Sequence, residues 1–411
     1  MRILILIAKR NIKRGTKTRS TYLLHVDMAN QHAIDKGHEV FTVNAYKENE
    51  NDPYCGNDNS KIFSDPNPFI AIAQALNVDA IVCLSTERTL ERDALIKKEL
   101  ESKGITVITN SLEFIKTLSY KENAKRFFFQ NGIPTPKGGI FKNRYDLESL
   151  VNQLGFPLIT KRNGFTGGRG NKVLKNHADL NAFINGQDCF GEEIIVEKFI
   201  YGIELSMEIV GHNGSYLCMP LIYKGCTKEH PINRLCYVSY SNEKIKKSIK
   251  KLALKIAKKL NLCGSAELEV IWEPYSNSIY VLEVNPRISG TTLLGEAYTD
   301  ISIPKNLIDM ADNTWNNDLD FVTTNKLSIE LDLTPDLPKS KLGEVYALPT
   351  FFECSRHNLK GQCVKFILSG NTNNVMADIN TIKLMEVSSI LKGSINSPHL
   401  YLDLEKKTIL F

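Results

Sequence analysis

The 411-residue sequence lacks any apolar run long enough to cross a bilayer. Its N-terminal run, residues 3–8, is too short even for the hydrophobic part of a signal peptide. The expectation is a chain without leader or membrane span. Nine cysteines include no Cys-x-x-Cys, and eight histidines include no His-Glu-x-x-His, which removes the usual zinc and redox motifs. The odd, scattered cysteines predict reduced, mostly buried thiols in a cytoplasmic protein. No Gly-Lys-Ser/Thr closes a Walker A loop. Internal repeats and low-complexity tracts are lacking too, which argues against repeat architectures and disordered segments. Excess charge is small: a net +5 fits small anionic ligands and gives no reason to expect nucleic acid. With 42% apolar and 24% charged residues the chain builds a core. Its length accommodates roughly two to four domains.

What is present concentrates at residues 268–291. Two apolar, β-rich runs flank the turn cluster Pro274-Tyr275-Ser276-Asn277 and read as a hairpin. A hairpin sets Glu269 beside Glu283, with Asn285 two residues on and on the same face. Two carboxylates and an amide oxygen are hard ligands suited to Mg²⁺ bridging nucleotide phosphates. Arg287 shares that face and is placed to grip a phosphate or carboxylate with a bidentate fork. Single carboxylates in strands usually face solvent; the alternation of Glu, Asn and Arg is what sets this strand apart. Upstream, a short β run ends on Lys161 and enters a loop holding Gly164, Gly167, Gly168 and Gly170. Such a loop lets backbone N–H groups approach phosphates, and Lys161 adds a point charge.

These motifs resemble the ATP-grasp superfamily. There the second metal strand reads Glu-x-Asn-Pro-Arg, as Glu283 to Arg287 do here, and a strand lysine precedes a flexible glycine-rich lid, as Lys161 and residues 164–170 do. Further elements follow the family order. Lys121, eleven residues before Gly132-Ile133-Pro134, is similar to the family's first nucleotide-contacting lysine. Tyr120 stands where many members have Asp. Residues 193–206 resemble the adenine hinge. The resemblance implies that Glu197, Lys198 and Phe199 contact the base and Glu204 the ribose hydroxyls. It covers residues 121–290 and implies an α/β (α+β) ATP-grasp fold using ATP and Mg²⁺ or Mn²⁺. The implied divisions are an N-terminal parallel-sheet domain at 1–112, an ATP-grasp domain at 113–320 with its lid at 120–195, and a β-rich C-terminal extension at 321–411.

Around this span the pattern is coarser. Strand signals at residues 3–7, 39–43, 80–84 and 106–108 alternate with helical ones at 22–36, 68–77 and 87–103, which implies a parallel sheet. The loop after the first strand carries Lys9, Arg10, Lys13, Arg14, Lys17 and Arg19; it is either a contact for an anionic substrate or a solvated charge run. Residues 243–260 form an amphipathic helix with a lysine-rich outer face, read as solvated rather than membrane-bound. Residues 223–240 are a candidate acceptor-binding segment.

The implied chemistry is ATP-dependent carboxylate–amine ligation through an acyl phosphate. Arg287 and Lys161 are the catalytic candidates. Lys121, Lys161, Gly167, Gly168, Glu197, Lys198, Phe199 and Glu204 are the nucleotide set, and Glu269, Glu283 and Asn285 the metal set. The expected partners are small carboxylate and amine substrates, with no nucleic acid and no membrane; a homodimer is left open. Similarity extends to amino-acid ligases and to the ATP-binding domains of carbamoyl-phosphate synthase, of which only one copy is present. The alternatives are action on a phosphorylated metabolite, carboxy-phosphate chemistry, and nucleotide binding without turnover.

Overall fold

The computed structural model describes residues 1–8, 21–44, 64–162, 170–186, 190–227, 236–238, 243–317, 326–334, 337–357, 363–388, 402–403 and 408–409. The basic loop at 9–19 and the lid residues Gly164, Gly167 and Gly168 lie outside them, as does most of the candidate acceptor segment.

The N-terminal sheet is parallel. Its strands are β1 (Arg2–Ile7), β2 (Glu39–Asn44), β3 (Ala80–Leu84) and β4 (Thr106–Ile108), in the order β2-β1-β3-β4. Ile3, Leu4, Ile5 and Leu6 are all buried, because helices cover both faces of such a sheet and leave no side for alternation. Helix Thr21–Asp35 packs on helix Ile303–Ala311 from the central region. Polar pairs fasten that joint: His32 to Asp309 at 2.8 Å, and Lys36 to Asp309 at 2.7 Å and Asp312 at 2.6 Å.

A second, antiparallel sheet has the order β5-β8-β6-β7, from β5 (Gly138–Phe141), β6 (Leu158–Lys161), β7 (Lys172–Leu174) and β8 (Ile194–Lys198). Helices Arg144–Leu154 and His177–Asn185 cover it through Leu147, Val151, Leu180 and Phe183. Each helix starts on an Asn whose side chain accepts a backbone N–H of the first turn, an N-cap worth about 1 kcal/mol.

The third sheet has eight strands in the order β13-β12-β9-β10-β11-β14-β16-β15. They are β9 (Ile203–His212), β10 (Ser215–Cys226), β11 (Cys236–Val238), β12 (Gly264–Glu273), β13 (Ser278–Asn285), β14 (Lys326–Asp332), β15 (Phe351–His357) and β16 (Cys363–Asn371). Helix Glu243–Lys259 lays Ile245, Ile249, Ala253 and Ile256 on β9 and β10. Each isoleucine so buried contributes roughly 1.5–3 kcal/mol. Among the described residues no helix is long and apolar enough to cross a membrane.

The β-rich C-terminal extension joins the third sheet: β14, β15 and β16 continue the sheet that carries β12 and β13, and helices Lys339–Tyr346 and Thr372–Met385 accompany them. One finding differs from the sequence reading: the expectation of reduced thiols fails for one pair. Cys354 and Cys363 are disulfide-bonded, with Cα atoms 5.9 Å apart, because antiparallel pairing of β15 with β16 brings them together. Cys83, Cys218 and Cys263 are buried free thiols; Cys55 and Cys189 lie outside the described residues.

Candidate functional site

The hairpin of β12 and β13 places the acidic group. Its antiparallel register sets Glu269 opposite Glu283 and Glu267 opposite Asn285, with a bulge after Glu269. The Asn285 amide lies 3.3 Å from Glu269, 3.4 Å from Glu267 and 3.5 Å from Glu283. Glu267 is buried and escaped the sequence reading. Its signal was available: it sits two residues before Glu269, on the same face of the same strand. Lys224 of β10 reaches in from across the sheet, 2.7 Å from Glu269 and 3.5 Å from Glu267. Thr291 donates to Glu267 at 2.9 Å.

Negative charge is crowded here. Burial, then the neighbouring Glu267 and Glu283, push the Glu269 carboxyl up to about 7 despite Lys224. Among the described residues no three His, Cys, Asp or Glu side chains gather as a metal cage. The donor set is instead two facing carboxylates and an amide, with a lysine as their counter-ion. Hard oxygen donors that repel one another fit a divalent cation.

The second cluster lies between the two antiparallel sheets. Glu197, on β8, is buried and takes two lysines: Lys161 of β6 at 2.7 Å and Lys125 of helix Lys121–Gln130 at 2.6 Å. Lys125 also donates to Thr135 at 3.1 Å and to the Pro136 carbonyl. Burial opposes the charge on all three groups. For Glu197 the two lysines outweigh it and hold its carboxyl below the usual range. For Lys161, Glu197 outweighs it and the ammonium is held above its usual range. For Lys125 burial prevails, aided by repulsion from Lys161, and its ammonium is held low. Gly138 makes room for this arrangement: a Cβ there would collide with the Val196 carbonyl and come within 2.8 Å of the Glu197 Cα.

Glu197, expected at the base, has its carboxylate paired with Lys125 and Lys161. Lys198 turns its ammonium to the carbonyls of Leu154, Gly155 and Phe156, nearest at 2.7 Å from Phe156. The N–H groups of Lys198 and Phe199 go to Lys137 and Pro157 carbonyls. These polar groups of the hinge are thus taken up within its own sheet, by the segments that lead into β5 and β6. Glu204 is buried on β9. Gly202 lets the hinge pass β12, since a Cβ there would lie 2.5 Å from the Trp272 carbonyl. Lys121 is the first residue of its helix, and the cation this helix sends to Glu197 is Lys125, one turn further. Tyr120 precedes it as an N-cap without a side-chain bond. Its phenol donates instead to Glu91, which moves its pKa up to about 12. Arg287 pairs with Glu87 in the loop after β3 and donates to the Ile288 carbonyl at 2.8 Å, while its charge also acts on Glu267 of the acidic group.

Residues 126–299 match the ATP-grasp domain family. A carbamoyl-phosphate synthase from Methanobrevibacter smithii is 32% identical over 251 residues, covering 59% of this chain and 65% of that protein. The carbamoyl phosphate synthase large chain from Pseudothermotoga lettingae is 24% identical, over 65% of this chain and 25% of its own. The chain thus spans less than two thirds of the length of these curated relatives. Among solved structures, an ADP complex of N5-carboxyaminoimidazole ribonucleotide synthetase superposes with a TM-score of 0.69 at 16% identity, covering 94% of this chain and 96% of that one. Biotin carboxylase from Campylobacter jejuni gives 0.68 at 20% identity, covering 94% and 91%. L-amino acid ligase from Bacillus licheniformis gives 0.67 at 15% identity, covering 94% and 97%. Residues 126–299 thus match an ATP-grasp domain, and the solved structures share the fold of the whole chain.

Proposed function

We propose that the protein is a cytoplasmic ATP-dependent carboxylate–amine ligase. ATP phosphorylates a substrate carboxylate, an amine attacks the acyl phosphate, and an amide forms with release of ADP and phosphate. The in-register pair Glu269–Glu283 with Asn285 beside it carries this reading. A Mg²⁺ or Mn²⁺ held by these three side chains would supply positive charge to the phosphoryl oxygens. The other roles fall to the chain's own groups. Lys161, fixed by Glu197, sets a cation toward the phosphates. Lys121, at a helix N-terminus, adds a second charge where the helix end is already positive. Glu204 accepts the ribose hydroxyls, and base recognition is left to the remaining backbone groups of the hinge. Arg287 grips the carboxylate and then the acyl phosphate, a planar bidentate task that lysine cannot reproduce. The glycine loop that includes Gly167 and Gly168 excludes water that would otherwise hydrolyse the intermediate. Charge spreads over phosphoryl oxygens in the transition state, so catalysis is mainly positioning and electrostatics.

The likeness to a protein named carbamoyl-phosphate synthase favours a second reading, in which bicarbonate is the carboxylate and ammonia the amine. ADP release, measured with amino-acid pairs, with bicarbonate plus ammonium, and with phosphorylated metabolites, separates these readings. Turnover should require the divalent cation. Glu283→Gln should abolish it with little change in thermal midpoint. An active Glu283→Gln variant would remove the metal assignment; no ADP from any set would leave a nucleotide-binding protein without turnover.

A further inference from the structure

We infer that Glu87 is a built-in stand-in for the substrate carboxylate, occupying Arg287 until an acceptor displaces it, so that the loop after β3 forms one wall of the acceptor subsite. The inference rests on the ligase reading above and adds to it the place of the acceptor and the group that guards it. Arg287 lies two residues beyond Asn285, at the end of β13. Its Nη1 is pinned by the Ile288 carbonyl at 2.8 Å, while Nη2 is given to Glu87. The two partners differ in exposure: the arginine side chain is 18% exposed and the glutamate 47%. The acid therefore meets a recessed guanidinium from the solvent side, as an incoming carboxylate would.

The loop that carries Glu87 leaves the carboxyl end of β3, an inner strand of the parallel sheet. Open α/β sheets bind ligands at that end. The loop backbone is held independently of Arg287. The Thr86 N–H donates to Thr89 Oγ1 at 3.0 Å, and Thr89 N–H to the Thr86 carbonyl at 2.9 Å. Ser85 donates to Asp93 at 2.6 Å, and Asp93 is itself buried against Arg92. Releasing Arg287 thus needs only rotation of the Glu87 side chain.

A plain docking role for the pair is the competing reading. Docking of the N-terminal sheet is already supplied elsewhere. Asn110 donates to the Ser265 carbonyl at 3.0 Å and the Pro286 carbonyl at 3.2 Å, and Lys36 spans Asp309 and Asp312. An ion pair with one half-exposed partner is weak, so a substrate displaces it readily. Weak self-competition of this kind lowers the apparent affinity for a carboxylate by up to about fivefold.

The test titrates acetate into the full-length protein at constant ionic strength, with wild type, Glu87→Gln, Glu87→Ala and Arg287→Met. Both Glu87 variants should bind acetate more tightly, by up to about fivefold, and keep the wild-type thermal midpoint. Arg287→Met should abolish acetate binding. Unchanged or weaker acetate binding in the Glu87 variants overturns the inference. So does a large fall in their midpoint, which would make the pair a docking contact, or acetate binding that survives in Arg287→Met. ADP affinity, measured on the same preparations, should be equal in wild type and the Glu87 variants. Failure of the wild type to bind ADP would sink the ligase reading, whereas ADP binding without tighter acetate binding would sink only the role given to Glu87.

Discussion

Replacing Glu197 with glutamine tests whether this residue serves the base or the lysines. The variant keeps the shape and removes the one negative charge that Lys125 and Lys161 share at 2.6 and 2.7 Å. Two buried ammonium groups then face each other without the carboxylate between them, and Lys161 keeps only its attraction to Glu283 and Glu269. Removing one partner of a buried pair costs about 3–5 kcal/mol. At about 2–4 °C of midpoint per kcal/mol for a domain of this size, the fall is roughly 6–20 °C. Its pH dependence has a definite sign. Lys125 is already held below the ordinary lysine range, and Glu197 is the attraction that opposes this. Without Glu197, Lys125 falls further, so at alkaline pH the unfolded chain binds more protons than the folded one. Stability then rises with pH through that window, and the deficit present at neutral pH shrinks toward about pH 10. Differential scanning calorimetry of wild type, Glu197→Gln and Glu197→Gln/Lys125→Met near neutral pH and at about pH 9.5 reads all of this. The double variant should recover part of the loss, because one orphaned charge is gone. A Glu197→Gln midpoint equal to wild type, or no recovery in the double variant, would refute the two-lysine account and return Glu197 to the base.

Two further outcomes follow from the same geometry. Gly138→Ala forces a Cβ against the Val196 carbonyl and Glu197; it should lower the midpoint by an amount set by about 1–3 kcal/mol and weaken ADP binding by displacing Lys161. Calorimetry and ADP titration on one preparation check it, and a neutral Gly138→Ala would mean that β5 and β8 separate freely. Glu208 is buried between Ser265 and Thr292, and burial pushes its carboxyl up to about 8. The folded state therefore binds more protons than the unfolded between the ordinary Glu value and 8, and stability falls as pH rises through that window. Glu208→Gln should remove this term, so its midpoint should gain on wild type between about pH 5 and pH 8; parallel midpoint curves would show that Glu208 does not titrate there.

The parts of the site legible in the sequence are those made by neighbours along the chain. The hairpin around residues 274–277 is short, so alternation alone fixed the facing of Glu269 and Glu283, and the four N-terminal strands followed from their apolar runs in the same way. Glu267 was within reach of that logic. Lys125 and Glu87 were not, because an isolated charged residue in a helix or loop carries no local mark of its partner; Lys224 fell within the candidate acceptor segment, but nothing there marked Glu269 as its partner. Lys125 meets Glu197 across 72 positions, and Arg287 meets Glu87 across 200. Only tertiary packing, of a helix on the second sheet and of the N-terminal domain on the third, decides which lysine sits on Glu197 and which acid on Arg287. The C-terminal strands show the same limit. Their β character was local and readable, but their hydrogen bonding into the sheet of β12 and β13 depends on the pairing of β11 with β14, a contact that no sequence period specifies.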